Sequence, residues 1–194
     1  MNLRLVPLLA AAFAGSALAA PQTYVIDPVH SQPQWETNHV GFSDQRGNFG
    51  KLEGKIVIDR EEKKGQVDLT IDTTSIRTYD ARLDAVVKGE RFFNVEKFPT
   101  ITFKSSDVKF DGDRVVAVNG ELTMLGVTKP VSLTVTKFAC GASPFSKKPL
   151  CGARAAATIK RSEWGMTNGL AIGNPADEVT LMLPVEAYLE QPPG

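Results

Sequence analysis

The feature that most constrains this chain is an apolar–polar alternation with a period of two, repeated in segment after segment. Val67, Leu69 and Ile71 alternate with Asp68, Thr70 and Asp72; Val131, Leu133 and Val135 alternate with Ser132, Thr134 and Thr136; Val179, Leu181, Leu183 and Val185 repeat the pattern near the end. Successive side chains of a strand point to opposite faces, so each segment reads as a strand with one wet and one dry face. Further strand candidates are Tyr24 to Asp27, Gln34 to Val40, Gly50 to Asp59, Thr100 to Phe110, Arg114 to Met124 and Ala153 to Arg161. Turn-forming residues separate them: Glu61 to Gly65, the tight Asp111-Gly112-Asp113, and Gly126 with Lys129-Pro130. Short connections make neighbouring strands antiparallel. Many such strands in one small domain form an all-β sandwich or a closed barrel, and closure alone removes every exposed edge.

One stretch departs from the pattern. Between Asp80 and Lys88, Leu83, Val86 and Val87 fall at helical spacing, Asp80 is placed to cap the N-terminus, and Gly89 follows where a C-cap glycine belongs. A short helix is predicted over 80–88. The adjacent Phe92 and Phe93 after Arg91 cannot both face one side of a strand and read as a loop packed over something apolar.

The first nineteen residues read as an address. Arg4 is followed by an apolar run from Leu5 to Ala14 and a small-x-small site, Ala17-Leu18-Ala19, the pattern of a cleavable secretory signal peptide. The apolar run is about ten residues, against the roughly 20 that a membrane-crossing helix needs. The expected mature chain, 20–194, is one domain, with a disordered Gln191 to Gly194 tail, and a bacterial periplasm is the expected compartment. An oxidising compartment would join Cys140 to Cys151 across a turn-rich loop. A redox pair would take the closer C-x-x-C spacing at a helix start. Lys plus Arg number 22 and Asp plus Glu 22, so no large field is available to hold nucleic acid.

Several motifs resemble those of the YceI-like, polyisoprenoid-binding family. Thr23-Tyr24-Val25-Ile26-Asp27-Pro28-Val29-His30-Ser31, His39-Val40-Gly41-Phe42 and Asn48-Phe49-Gly50 are similar to its opening. Ile71 to Thr78 resembles its "D-x-x-S-I-x-T" segment and Phe92 to Phe103 its "F-F-[DN]-V-x-K-[FY]-P-x-I-x-F" segment. Gly120 to Lys129 and Arg161-Ser162-Glu163-Trp164-Gly165-Met166 resemble its last two. The order matches over nearly the whole mature chain. Two departures are visible: Asp80-Ala81-Arg82-Leu83-Asp84 replaces the more usual "R-D-x-H-L", and the hairpin carrying Cys140 and Cys151 looks like an elaboration.

The resemblance implies a lipocalin-like antiparallel β-barrel with a long interior cavity for an isoprenoid, quinone or fatty-acid-like chain, and links to envelope stress responses. Small residues at Ala153, Ala155, Ala157, Gly50 and Gly54 would leave room inside a barrel, or relieve curvature at its corners. Trp35, Phe49, Phe92, Phe93, Phe103 and Trp164 are the candidate lining of such a cavity, with ordinary core packing the competing account. His30, Ser31, His39, Arg77, Thr78 and Arg91 are candidate polar contacts for a head group.

The two histidines lack a neighbouring ligand pattern, so no metal site is expected. No nucleophile elbow, dinucleotide fingerprint or P-loop is present, and the carboxylates show no acid–base spacing. The expected function is therefore non-catalytic: transport or storage of a polyisoprenoid or quinone lipid, with no covalent cofactor. A second reading is an envelope interaction module docking a membrane redox protein such as a cytochrome b-type partner. A third is a cavity enzyme acting on an apolar substrate. A homodimer is compatible with each.

Overall fold

A computed structural model describes residues 20–191. The expected leader, 1–19, and residues 192–194 of the expected tail lie outside the described residues. In chain order the strands are β1 Gln22–Ile26, β2 Gln34–His39, β3 Ser43–Phe49, β4 Leu52–Asp59, β5 Lys64–Asp72, β6 Ile76–Arg77, β7 Thr100–Asp111, β8 Arg114–Met124, β9 Val127–Ala142, β10 Pro149–Lys160 and β11 Glu178–Leu189. The helix α1, Ala81–Lys88, separates β6 from β7, and short 3-10 turns follow β5 and β10.

The alternation becomes a closed wall. Strands β1, β4, β5, β7, β8, β9, β10 and β11 pair antiparallel in that order, and β1 returns to β11, so the sheet closes into an eight-stranded barrel. In β5 and β9 the inward Val67, Leu69, Val131 and Leu133 are buried while Asp68, Ser132 and Thr134 are exposed. The barrel form of the all-β expectation is the one adopted.

The seam of the barrel is split. The rear half of β11 pairs with β1, from Ile26 opposite Ala187 to Tyr24 opposite Leu189. Its front half pairs instead with β2, from Thr37 opposite Val179 to Gln34 opposite Met182, and β3 and β6 continue from β2. Strand β3 was not among the sequence expectations. Its sequence, Ser-Asp-Gln-Arg-Gly-Asn-Phe, shows little apolar alternation, and it is held by pairing with β2 from Ser43 to Asn48. Gly47 in it lies beneath the Trp35 ring, where a Cβ would come within 2.5 Å of the indole.

The turns behave as their residues dictate. Gly112, at φ +58, lies in the two-residue loop between β7 and β8, and Leu125 and Gly126, both at positive φ, join β8 to β9. The expected break at Lys129-Pro130 does not occur: Pro130 lies within β9 opposite Glu121, on a stretch with no partner in β10, where a residue without an N–H is tolerated. Helix α1 begins where expected, with the Asp80 side chain accepting a hydrogen bond from the Arg82 N–H at 2.8 Å. Gly89 does end it, but with φ −71, so the left-handed conformation of a glycine cap is not used.

Candidate ligand-binding cavity

Along the inside of the barrel lie two apolar chambers that share part of their lining. The front chamber has a volume of about 120 Å³ and the rear one about 70 Å³. Leu69 of β5, Leu133 of β9 and Leu183 of β11 line both. Moving forward along the same strands, Ile71, Val131 and Leu181 face the front chamber; moving back, Val67, Val135 and Val185 face the rear. The three leucines thus lie where the two chambers meet, one from each of three strands around the barrel. Leu and Ile side chains at this level fill the section of a barrel of this size.

The two chambers differ in their walls. Every residue lining the rear chamber belongs to a barrel strand, so its wall is hydrogen-bonded throughout. The front chamber is closed partly by residues outside strands: Pro33, Val87 of α1, Phe92, Phe93, Met166 and Pro175. Phe92 and Phe93, expected in a loop over apolar surface, lie in that roof. The Phe93 N–H donates to the Val87 carbonyl at 3.0 Å, which ties the loop to the helix. The loop is further tied by the Phe92 and Asn94 N–H groups to the Gly89 carbonyl and by the Val95 N–H to the Lys88 carbonyl.

Of the expected aromatic lining, Trp35, Phe49, Phe92, Phe93 and Phe103 face the front chamber. Trp164 does not. It is only 2% exposed, belongs to the buried core without lining either chamber, and its indole Nε1 donates to the Leu122 carbonyl at 3.1 Å. Trp35 Nε1 is also buried but has no hydrogen-bond partner. Of the small residues, Ala153 and Ala155 line the rear chamber, whereas Ala157 and Gly50 line neither. Gly54, at φ +148, lies where a Cβ would come within 2.1 Å of the Asp68 carbonyl, so it serves strand contact rather than cavity space.

None of the six expected polar contacts lines either chamber. Ser31 is fully buried and bonds both backbone groups of Glu186, at 3.0 and 2.9 Å, fastening the segment after β1 to β11. His30 is exposed and pairs with Asp27 through Nδ1 at 2.8 Å, while Asp27 also accepts from the Val29 N–H. The carboxylate beside it holds the His30 ring above the ordinary histidine range, and the His30 contact holds Asp27 below the usual carboxylate range. Glu186 completes a surface group whose ligand atoms lie within 4.8 Å of one another. Thr78 bonds Asp84 at 2.7 Å and the Asp80 carbonyl at 3.0 Å, bracing the start of α1. Arg77 and Arg91 are exposed, and His39 ends β2 at the front rim. These motif residues share a physical role in turns and joints, which explains why their sequence pattern alone suggested a site.

The polar residues that do line the front chamber are Gln34, Thr37 and Arg161. Thr37 Oγ1 contacts the Ala176 and Glu178 carbonyls. Arg161 is 2% exposed and donates to four carbonyls: Nε to Ala176 at 2.9 Å, Nη1 to Met166 at 2.7 Å, and Nη2 to Asn168 at 2.9 Å and Pro175 at 2.6 Å. Its burial pushes the guanidinium pKa down, partly offset by the charge of Asp177. The motif Arg161 to Met166 carries no local sign of this role, because the carbonyls that Arg161 binds extend to Ala176. At the rear, Cys140 and Cys151 are joined as expected, as directly opposed residues of β9 and β10. Cys151 lines the rear chamber, and the Arg60 guanidinium lies 6.0 Å from the centre of the nearby Phe138 ring.

A closed eight-stranded antiparallel barrel around dry apolar chambers defines a lipocalin-like β-barrel protein. The YceI-like domain matches residues 24–187, and the chain belongs to the YceI-like family. It is 34% identical over 192 residues to a UPF0312 protein of Pectobacterium atrosepticum, covering 98% of this chain and 97% of that one. It is 34% identical over 178 residues to Protein YceI of Salmonella arizonae, covering 91% of each. Among solved structures it is similar to Burkholderia cenocepacia BcnA, with TM-score 0.68 and 25% identity over 84% of this chain and 99% of that one. It also shares the fold of a polyisoprenoid binding domain from Saccharophagus degradans implicated in plant cell wall breakdown, with TM-score 0.65 and 15% identity over 87% and 99%. Among the described residues no helix is long and apolar enough to cross a membrane.

Proposed function

We propose that the protein is a periplasmic carrier that shelters the hydrocarbon chain of a polyisoprenoid or quinone lipid. The observation that carries this reading is the pair of apolar chambers stacked along the inside of the closed barrel. Packed protein interiors hold few voids larger than a water molecule, and an empty apolar cavity of about 120 Å³ is destabilising by about 3 kcal/mol. An apolar guest recovers those lost contacts, and each buried methylene contributes about 0.8 kcal/mol. The chambers as they stand are smaller than the bound chain they would enclose, so uptake displaces the roof and the three leucines.

The same lining favours carriage over catalysis. The charged residue on the front wall is Arg161, and its bonds to four carbonyls commit it to structure. Among the described residues, no carboxylate or imidazole faces either chamber. General acid–base chemistry requires such a group within hydrogen-bond reach of the substrate. The reading is tested by extracting the purified protein with organic solvent and analysing the extract by mass spectrometry. A co-purifying prenyl lipid is the expected result. Repeated absence of any lipid, together with failure to take up added ubiquinone, overturns it.

A further inference from the structure

The barrel offers a head group almost nothing to recognise. Thr37 and Arg161 spend their donors on backbone carbonyls, Gln34 is an exposed residue at the rim, and among the lining residues the Trp35 indole N–H is the one buried donor left without a partner. Selection among apolar guests therefore falls to shape and length. Along β11, Val179 to Leu183 spans the front chamber and Leu183 to Ala187 the rear, each about 13 Å of strand. A guest entering from the front chamber meets Leu69, Leu133 and Leu183 before it reaches the rear chamber. These side chains are 4%, 4% and 9% exposed and project from strands paired into the barrel wall.

We propose, on the lipid-carrier reading above, that Leu69, Leu133 and Leu183 are the specificity-determining waist of the cavity. They set how much of a chain is taken up. A chain that fits the front chamber is held without disturbing them. A longer chain gains the rear chamber only by turning the leucines out of its path, and the work of moving them cancels part of what the added carbons contribute. Leucine rotamers are discrete, so the waist is either shut or displaced rather than gradually yielding. The rear chamber, lined by small Ala153 and Ala155, is the space that displacement opens.

The test compares two probes, geraniol and the twice-as-long geranylgeraniol, by quenching of tryptophan fluorescence in the full mature chain. Each further buried methylene is worth about a fourfold gain in affinity when space is ready for it. In the natural protein the longer probe is expected to bind little better than the shorter. Leu133→Ala is expected to raise the preference for geranylgeraniol by at least about tenfold. Leu133→Phe is expected to weaken geranylgeraniol by about tenfold more than it weakens geraniol. Leu69→Val, a smaller change, shifts the preference in the same direction as Leu133→Ala and serves if that variant does not fold. Unchanged preference in folded variants that bind both probes overturns the waist and leaves the carrier reading standing. Failure of the natural protein to bind either probe overturns the carrier reading, and the waist with it.

Discussion

Phe49 and Phe93 meet edge to face, with ring centroids 5.4 Å apart and ring planes at 89°, and so pin the loop behind α1 to strand β3 across the front chamber. Such a pair contributes about 0.5–1.5 kcal/mol beyond the area it buries. Phe93→Ala removes this contact together with half-buried apolar surface and is expected to lower stability by about 2–4 kcal/mol. Urea unfolding measures the loss. Phe93→Leu, which keeps most of the volume, should recover more than half of it; equal losses in the two variants would show that volume is not what the roof needs.

The two tryptophans are separable reporters. Trp35 faces the front chamber and Trp164 lies outside it. In Trp164→Phe, farnesol is expected to alter the remaining emission, whereas in Trp35→Phe it should leave the emission unchanged. A response confined to Trp164 would place the guest somewhere other than the chamber. Trp164→Phe also loses the bond to the Leu122 carbonyl, at a cost of about 1–2 kcal/mol in stability.

Arg161 holds the segment between β10 and β11 by spanning the carbonyls of Met166, Asn168, Pro175 and Ala176. Arg161→Met leaves these acceptors short of partners and is expected to destabilise by about 3–5 kcal/mol. Limited proteolysis should then cut first within residues 165–177. Arg161→Lys restores the charge but offers three donors in place of the five-donor fork, so partial recovery is expected. Full recovery by lysine would mean that charge alone holds the loop.

The His30–Asp27 pair predicts a window of pH. His30 is raised by its hydrogen bond to Asp27, so its contribution is present at low pH and is lost as pH rises through the raised histidine value. Asp27 is lowered by the same contact, so its contribution is present above the ordinary carboxylate range and is lost as pH falls through the lowered value. The pair is intact between those two limits. An NMR titration of the His30 ring should give a midpoint above about 6.5, and Asp27→Asn should bring it back towards that value. No movement on that substitution would remove the carboxylate as the cause.

What could be read from residues alone follows from how local each signal is. The alternation in β5, β9 and β11 and the Asp80 cap depend on neighbours a few residues apart, and both appear as expected. Strand β3 carries Asp44, Gln45 and Arg46 and owes its conformation to pairing with β2, which no window along β3 displays. The leucine waist joins residues from β5, β9 and β11, so it exists only once barrel register is fixed. Trp35 and Trp164 look alike as letters, yet one lines the front chamber and the other does not, because Trp164 sits in the 3-10 turn Arg161–Trp164 rather than on a strand. His30, Ser31 and Thr78 are polar motif residues whose partners lie in turns and joints, and a sequence pattern does not separate that use from contact with a ligand.

The divided edge of β11 separates two duties. Where β1 closes it, the vessel has a fixed floor whose ladder would be broken by any insertion. Where β2 takes over, the lip hangs from a hairpin that can lengthen, shorten or change its tip without loosening that floor. Descendants of this chain could therefore refit the opening to a new docking partner while keeping the same hold on what lies within.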